Sequence, residues 1–400
     1  MSFDGWSGVD KFKFFLSGFI DPIEENDPIW RSPLPVSRIK AAAFNGVPVT
    51  YGAYFKAAEA FLSENHFQRL LSSIYQQSKT LIFPETIENV SIFLEKHGEY
   101  YHPSKIEVTA KKQEWKFVLN VAVSEAGIKL AQKEFELLRK LSRKLPWEFI
   151  PAVYEQGNAE PVMGRSNFPM FLGQWFSGYN EFHIHSMDPD GNCRIEVWDQ
   201  AKGNYFLSEK QTYELYRQTA LIHACYHDME TFEQIHPWHH AAGDFVVKLD
   251  NGCPMVKLIT IRGYHPIVRN DEKDLGSMLE ALLMFLMDLS IKNRIDRFKG
   301  VGDIAWANDL YVMATIDGFF EGLSQKIQRN IISRKLVDYF GTYLNSLSTP
   351  VIENRFADIL AVWPQQAPEL AMVNSKIKSH GFIFESFVSR FFSKYFNLEC

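Results

Sequence analysis

Residues 235–264 read IHPWHHAAGDFVVKLDNGCPMVKLITIRGY. Two apolar runs, Phe245-Val246-Val247 and residues 255–261, flank Asp250-Asn251-Gly252. An Asn-Gly pair between two apolar runs predicts a β-hairpin, because both residues accept the positive φ of a tight turn. A polar loop leads into this hairpin. His236, His239 and His240 fall within five positions, and Asp244 follows four residues after His240. Imidazoles near neutral pKa beside a carboxylate suit proton transfer or metal ligation, so the loop is the first place to look for chemistry.

The flanking chain reads as a scaffold of mixed type. Upstream, Ser208 caps a helix predicted over 210–226, and residues 183–198 form a hairpin around Asp188-Pro189-Asp190-Gly191-Asn192. Further upstream, residues 106–110 and 115–123 are β-like, 129–145 is a strong amphipathic helix stopped by Pro146, and 150–154 and 168–176 are strand-like. Residues 51–77 carry apolar positions at helical spacing (Phe55, Ala58, Phe61, Leu62, Phe67, Leu70, Ile74). Pro84 and Thr86 open a predicted helix over 87–96, ended by Gly98. Beyond Asp271 the chain is mainly helical, with breaks at Pro364 and Pro368, and residues 282–289 (LLMFLMDL) read as a buried helix. Strands gathered before helices predict an α+β fold: a small sheet-bearing lobe and a larger helical lobe, with an extra N-terminal helical module over residues 1–104.

Composition narrows the classes. The 400 residues are 46% hydrophobic, with net charge −6 and pI near 6.1, which argues against a nucleic-acid binder. Phenylalanine is abundant, at 33 residues, and large rings go mostly to cores. The four cysteines, Cys193, Cys225, Cys253 and Cys400, are far apart and fit free thiols in a reducing, cytoplasmic setting. Residues 12–20 (FKFFLSGFI) are too short and too interrupted for a secretory signal, and no run approaches the roughly 18 apolar residues of a membrane span.

The order of elements, with certain residues in it, resembles the protein-kinase-like fold, nearest to the aminoglycoside-phosphotransferase-like and lipopolysaccharide-kinase-like small-molecule kinases. The resemblance covers about residues 105–340 and implies a small lobe over 105–178 and a helical large lobe over 179–400. Residues 129–145 with Glu134 are similar to the small-lobe helix that carries an acidic residue. Residues 150–157 (IPAVYEQG) are similar to the strand that follows it. Residues 171–178 (FLGQWFSG) are similar to the strand and hinge where adenine stacks, which would give Trp175 and Phe176 that role. The histidine loop falls at the catalytic loop, so that His239 aligns with the catalytic aspartate and Asp244 with the metal-binding asparagine. Thr260 of LITIRG aligns with the second metal-binding aspartate. The strand lysine that holds nucleotide phosphates aligns with Asn120, and no Gly-rich phosphate loop lies between 106 and 116. The resemblance therefore implies ATP and Mg²⁺ as cofactors but a degenerate site.

The candidate groups each have a plainer alternative. His239 and His240 could serve as general bases, and His240 with Asp244 could hold a metal, or these histidines could simply bond the loop backbone. Arg262 could replace the lost positive charge at a phosphate, or form an ordinary salt bridge. Glu134 could be solvated, or pair with Lys133, Arg139 or Lys257. His183 and His185 point to one strand face and read as solvated histidines; His223 and His227, at i and i+4, read as helix-packing residues. Asp188–Asn192 is a turn rather than a Ca²⁺ loop, since the terminal Glu is missing. The basic segment 292–299 (KNRIDRFK) reads as a solvated helix end. Three functions follow: a pseudokinase-type binding or regulatory module for a nucleotide, small molecule or protein partner; an active non-standard phosphotransferase using His239, Asp244 and Arg262; or a scaffold that binds through the N-terminal module.

Overall fold

Every second residue from His102 to Ala110 and from Trp115 to Val121 is buried, the period of a strand with one face in a core. These two strands belong to the first of two compact units, Met1–Lys144 with Pro151–Ser177; the second is Leu145–Ile150 with Gly178–Cys400. The computed structural model describes residues 11–35, 43–44, 47–98, 100–159, 167–238, 240–267 and 274–396. The fold is mixed α/β, as an α+β reading requires.

The first unit begins with β1 (Phe12–Leu16), a small ribbon of β2 (Ala43–Phe44) and β3 (Val47–Pro48), and α1 (Tyr51–Ser78). Then come β4 (Ile87–Leu94), β5 (His102–Ala110), β6 (Gln113–Val121), α2 (Glu125–Lys144), β7 (Val153–Ala159) and β8 (Phe168–Gln174). One sheet has the order β1-β4-β5-β6-β8-β7, antiparallel throughout except for parallel β1 and β4. Helix α1 covers one face: Phe55, Phe61, Leu70 and Ile74 join Ile106, Phe117, Leu119, Met170 and Leu172 in one core. Phe171 lies between Met170 and Leu172 and so faces the other way, where it packs on Phe135 of α2. The two helices thus cover opposite faces at β8. Helix α1 is interrupted where Asn65, His66 and Phe67 take positive φ, and at the break Phe67 stacks on Phe12.

Two expectations are corrected here. Residues 87–96 are not a helix: Ile87–Leu94 is strand β4, paired with β1 and β5. Pro84–Thr86 is a short 3-10 turn, and the β-branched and aromatic residues Ile87, Val90, Ile92 and Phe93 favour a pleated surface. Consequently residues 1–104 are not a separate helical module. Their strands and α1 share a sheet and a core with residues 105–177.

The second unit carries a three-stranded sheet, β9 (Phe182–Met187), β10 (Cys193–Val197) and β11 (Tyr205–Phe206), then α3 (Glu209–Tyr226). Ser208 and Gln211 form a reciprocal capping box at the start of α3. Next are β12 (Gln234–Ile235), the single turn α4 (Ala241–Asp244), the hairpin β13 (Phe245–Asp250) and β14 (Cys253–Leu258), and β15 (Tyr264–His265). The hairpin turn has positive φ at both Asn251 and Gly252, as the sequence demands. Strand β12 pairs with β15, so residues 236–263 leave from and return to one point. Helix α5 (Leu275–Lys292), β16 (Ile295–Arg297), β17 (Ile304–Trp306), α6 (Leu310–Gln328), α7 (Arg334–Asn345), α8 (Thr349–Ala361) and α9 (Leu370–Phe396) complete it. Helices α3 and α6 approach closely because α6 offers Gly318 and Gly322; a Cβ on Gly318 would meet the Arg217 carbonyl oxygen at 1.9 Å. Among the described residues, no helix is long and apolar enough to cross a membrane.

If β4 is a core strand, its buried and exposed positions must respond differently. Ile92→Ala is expected to lose about 2–5 kcal/mol of unfolding free energy, and exposed Glu88→Ala less than about 0.5 kcal/mol. Urea titration of both variants measures the contrast.

Candidate functional site

The second unit concentrates its polar chemistry around a carboxylate that the sequence reading missed. Asp296, on β16, is fully buried. Its Oδ2 accepts the Ile184 N–H at 2.7 Å, and its Oδ1 accepts the Arg297 N–H at 2.7 Å. His183 Nδ1 lies 3.1 Å from Oδ1, and His240 Nδ1 lies 3.7 Å from the same oxygen. A carboxylate only accepts, so His183 carries its proton on Nδ1. The His183 ring is held between Trp198, at 4.6 Å between centroids, and Gly300, where a Cβ would come within 2.9 Å of Nε2. His183 is therefore not a solvated strand histidine. Its β9 neighbour His185 is half-buried and stands edge-on to Phe206.

Asp296 also corrects the reading of residues 292–299 as a solvated helix end. Lys292, Arg294 and Asp296 are all buried. Lys292 pairs with Asp288 at 2.8 Å, and Arg294 Nε donates to the Ala307 carbonyl at 2.8 Å. The available signal was placement: a charged run directly after the most apolar helix of the chain has little solvent to end in.

The histidine loop supplies the second cluster. His240 precedes α4, and its ring lies over that turn, with Cε1 3.2 Å from where a Gly243 Cβ would stand. Asp244 ends α4 and is buried. Arg262 Nη1 lies 2.8 Å from Asp244 Oδ1 and 3.0 Å from Oδ2. The backbone reinforces this pairing: Ile259 N–H donates to the Asp244 carbonyl at 2.8 Å, and His236 N–H to the Gly263 carbonyl at 3.1 Å. Gly263 is required there, since a Cβ would meet the His236 carbonyl oxygen at 2.4 Å. The structure thus brings together His240, Asp244 and Arg262 on one short segment, with Asp296 beside them. His239 lies outside the described residues. Among the described residues, no group of three or more His, Cys, Asp or Glu side chains is arranged to hold a metal ion.

The remaining expected residues sit in the first unit. Glu134 is buried on α2, which removes the solvated alternative. Trp175 and Phe176 follow β8 and are half-buried. Asn120, on β6, pairs in register with Phe171.

Beneath the histidine loop, several imidazoles are held neutral. His223 and His227 are buried in α3 and its cap, and burial pushes each down to about 3, with the charges of Lys292 and Lys326 respectively acting in the same direction. His223 packs on Trp238, tilted by 36° with 4.2 Å between centroids. Burial and then Lys292 take His236 down to about 4. His380, bonded to Ser290 and Arg294, is held well below the ordinary histidine value, chiefly by burial. His223 and His227 are packing residues, as their helical spacing predicted. The Asp188–Asn192 segment is a turn: Asp188 Oδ1 accepts the N–H groups of Asp190 and Asn192.

No protein-family model and no curated protein sequence matches this chain.

Two outcomes follow. Arg262→Ala leaves a buried carboxylate without its guanidinium and is expected to cost about 3–5 kcal/mol, whereas Arg262→Met with Asp244→Leu costs much less; denaturant titration of both separates a structural ion pair from a dispensable one. The depressed histidines set the acid limit. Unfolded, each takes up a proton near pH 6.5, while the folded protein refuses it until about pH 3–4. Stability is thus present above pH 6.5 and falls as pH drops below it, each group contributing about 1.4 kcal/mol per pH unit. Urea midpoints between pH 7.5 and 4.5 measure the slope.

Proposed function

We propose that this chain is a kinase-like protein with a degenerate catalytic site that works as a pseudokinase-type binding or regulatory module. The observation that carries this reading is the ion pair between Arg262 and Asp244. Asp244 aligns with the metal-binding position of the kinase-like loop. A carboxylate binds Mg²⁺ through oxygen lone pairs that face an open site. Here one guanidinium nitrogen contacts both oxygens and neutralises their charge. A guanidinium cannot leave such a place without stranding a buried anion.

Element order supports the same reading. The strands after α1 follow the order β4-β5-β6-β8-β7, with α2 inserted between β6 and β7, the arrangement of a kinase-like small lobe. In the second unit, the pairing of β12 with β15 encloses a loop, a hairpin and a return segment, the kinase-like order of catalytic loop and metal-binding loop. Phosphoryl transfer depends on positioning and on charge neutralisation by metal and lysine. With Asn120 at the lysine position and Thr260 at the second carboxylate position, this chain supplies neither in the ordinary form. Trp175 and Phe176 remain the candidates for stacking on a base, and Glu134 for supporting that side of the fold.

A second reading, an active phosphotransferase or other nucleotide-dependent transferase of non-standard type, draws on one specific observation. His240 stands beside a buried carboxylate, the arrangement that orients an imidazole as a base. His239 and Arg262 would be its other participants. A third reading, a scaffold that binds through an independent N-terminal module, loses its footing because residues 1–104 share a core with residues 105–177.

Thermal unfolding with ATP, in EDTA and in Mg²⁺, separates the first two. A ligand at a hundred times its Kd adds about 2.7 kcal/mol, a shift of a few degrees. A metal-independent module gives the same shift in both conditions and releases no phosphate. A shift that requires Mg²⁺, or ATP turnover, overturns the module reading in favour of the transferase. Absence of any shift removes the nucleotide and leaves a protein or another small molecule as the partner.

A further inference from the structure

We propose that Asp288, Trp238 and Trp363 form a binding cage for an ammonium group, that the protein's own Lys292 is its occupant, and that the cage emptied of Lys292 takes a short primary alkylammonium ion. The inference does not rest on the kinase-like reading.

The cage begins with one buried carboxylate. Asp288 and Lys292 stand at i and i+4 on α5, so they share a face of that helix. Both are buried, and Lys292 Nζ lies 2.8 Å from Asp288 Oδ2. The other oxygen is taken as well: Trp363 Nε1–H donates to Asp288 Oδ1 at 3.3 Å. Trp363 belongs to the connection between α8 and α9, so this bond ties that connection to α5. The same indole has its ring centroid 5.7 Å from Lys292 Nζ. Trp238, buried in the histidine loop, offers a second ring centroid 5.5 Å from that nitrogen. The face of an indole carries negative potential. A cation within about 6 Å of its centroid is attracted to it, more strongly where water is excluded.

A surface ion pair leaves its cation mostly to water. Here the ammonium meets one carboxylate and two aromatic rings, and among the described residues Asp288 is its only ion-pair partner. The three walls come from α5, the histidine loop and the α8–α9 connection, so one cation joins three elements that are distant in sequence. Its charge is felt beyond the cage. After burial, Lys292 is the next cause that lowers both His223 and His236. A carboxylate beside aromatic faces is the general chemistry that recognises an ammonium ion, and the lysine stem delivers that ion from within the chain. Lys292→Ala removes three methylene groups and the ammonium while leaving every wall in place. The vacated volume and charge are those of n-propylammonium.

Ligand rescue in the full chain tests this. Thermal unfolding of Lys292→Ala is followed in rising n-propylammonium chloride, with sodium chloride and 1-propanol as controls. The variant is expected to unfold several degrees below the wild-type chain. n-Propylammonium raises its midpoint saturably by a few degrees and leaves the wild-type chain unmoved, because that cage is filled. Sodium chloride does not, and neither does 1-propanol, which matches the size without the charge. Hydrogen exchange gives a local readout: amides in residues 235–238 and 361–365 exchange faster in Lys292→Ala, and n-propylammonium slows both segments together. Adding Asp288→Asn to Lys292→Ala removes both partners of the buried pair and abolishes the rescue. Should Lys292→Ala not fold in buffer, the same additives are compared during refolding from urea, with recovery expected in n-propylammonium alone. The proposal is overturned if n-propylammonium gives no saturable rescue or recovery, if 1-propanol rescues equally well, or if the ammonium stabilises the wild-type chain to the same extent.

Discussion

A charge taken fully out of water must be met by donors, and Asp296 is where this protein meets that requirement most completely. Its carboxylate is tied to the backbone of β9 through Ile184, to its own strand through Arg297, and to the His183 ring, with His240 of the histidine loop in ion-pair range. These elements are distant in sequence, and each depends on the others to satisfy the same two oxygens. Removing the carboxyl group would leave two backbone N–H groups and an imidazole without an acceptor. The local architecture of β9, β16 and the loop is thus conditional on one side chain.

The Arg262–Asp244 pair shows how the same constraint redirects chemistry. A carboxylate left open in a polar loop is a metal ligand in waiting; the same carboxylate with a guanidinium 2.8 Å away is a structural joint. The return segment 259–263 positions that guanidinium through backbone bonds to the loop it serves. The loop has kept its histidines while its anion has been spoken for.

Much of the fold was legible in the sequence, for reasons that differ by element. The hairpin of β13 and β14 was announced by Asn251-Gly252, and α3 by Ser208, because turn and cap geometry is enforced locally. Strands β5 and β6 were visible through apolar patterning along residues 106–123. Strand β4 was missed because Pro84, Thr86 and Gly98 imitate helix punctuation, and only pairing with β1 and β5 decides otherwise. At the site, His240, Asp244 and Arg262 were recognisable because they are close in sequence. Asp296 was not, because its meaning comes from partners 56 to 113 residues away in the chain. Its neighbours Lys292 and Arg294 suggested solvent, while the buried end of α5 dictated the reverse.

The pairing of β12 with β15 has a consequence for engineering. Residues 236–263 depart from and rejoin the body at one two-residue clasp, and α3 braces the hairpin between: Gln211 Nε2 donates to the Gly252 carbonyl at 2.9 Å and Gln218 Nε2 to the Pro254 carbonyl at 2.6 Å. The hairpin's far tip, Asn251-Gly252, has a Gly252 whose added Cβ would touch nothing within 4 Å. A short tag or fluorophore-bearing peptide spliced at that tip would lengthen the hairpin without disturbing the clasp, and would report on the loop from a position set jointly by the hairpin and by Gln211 of α3.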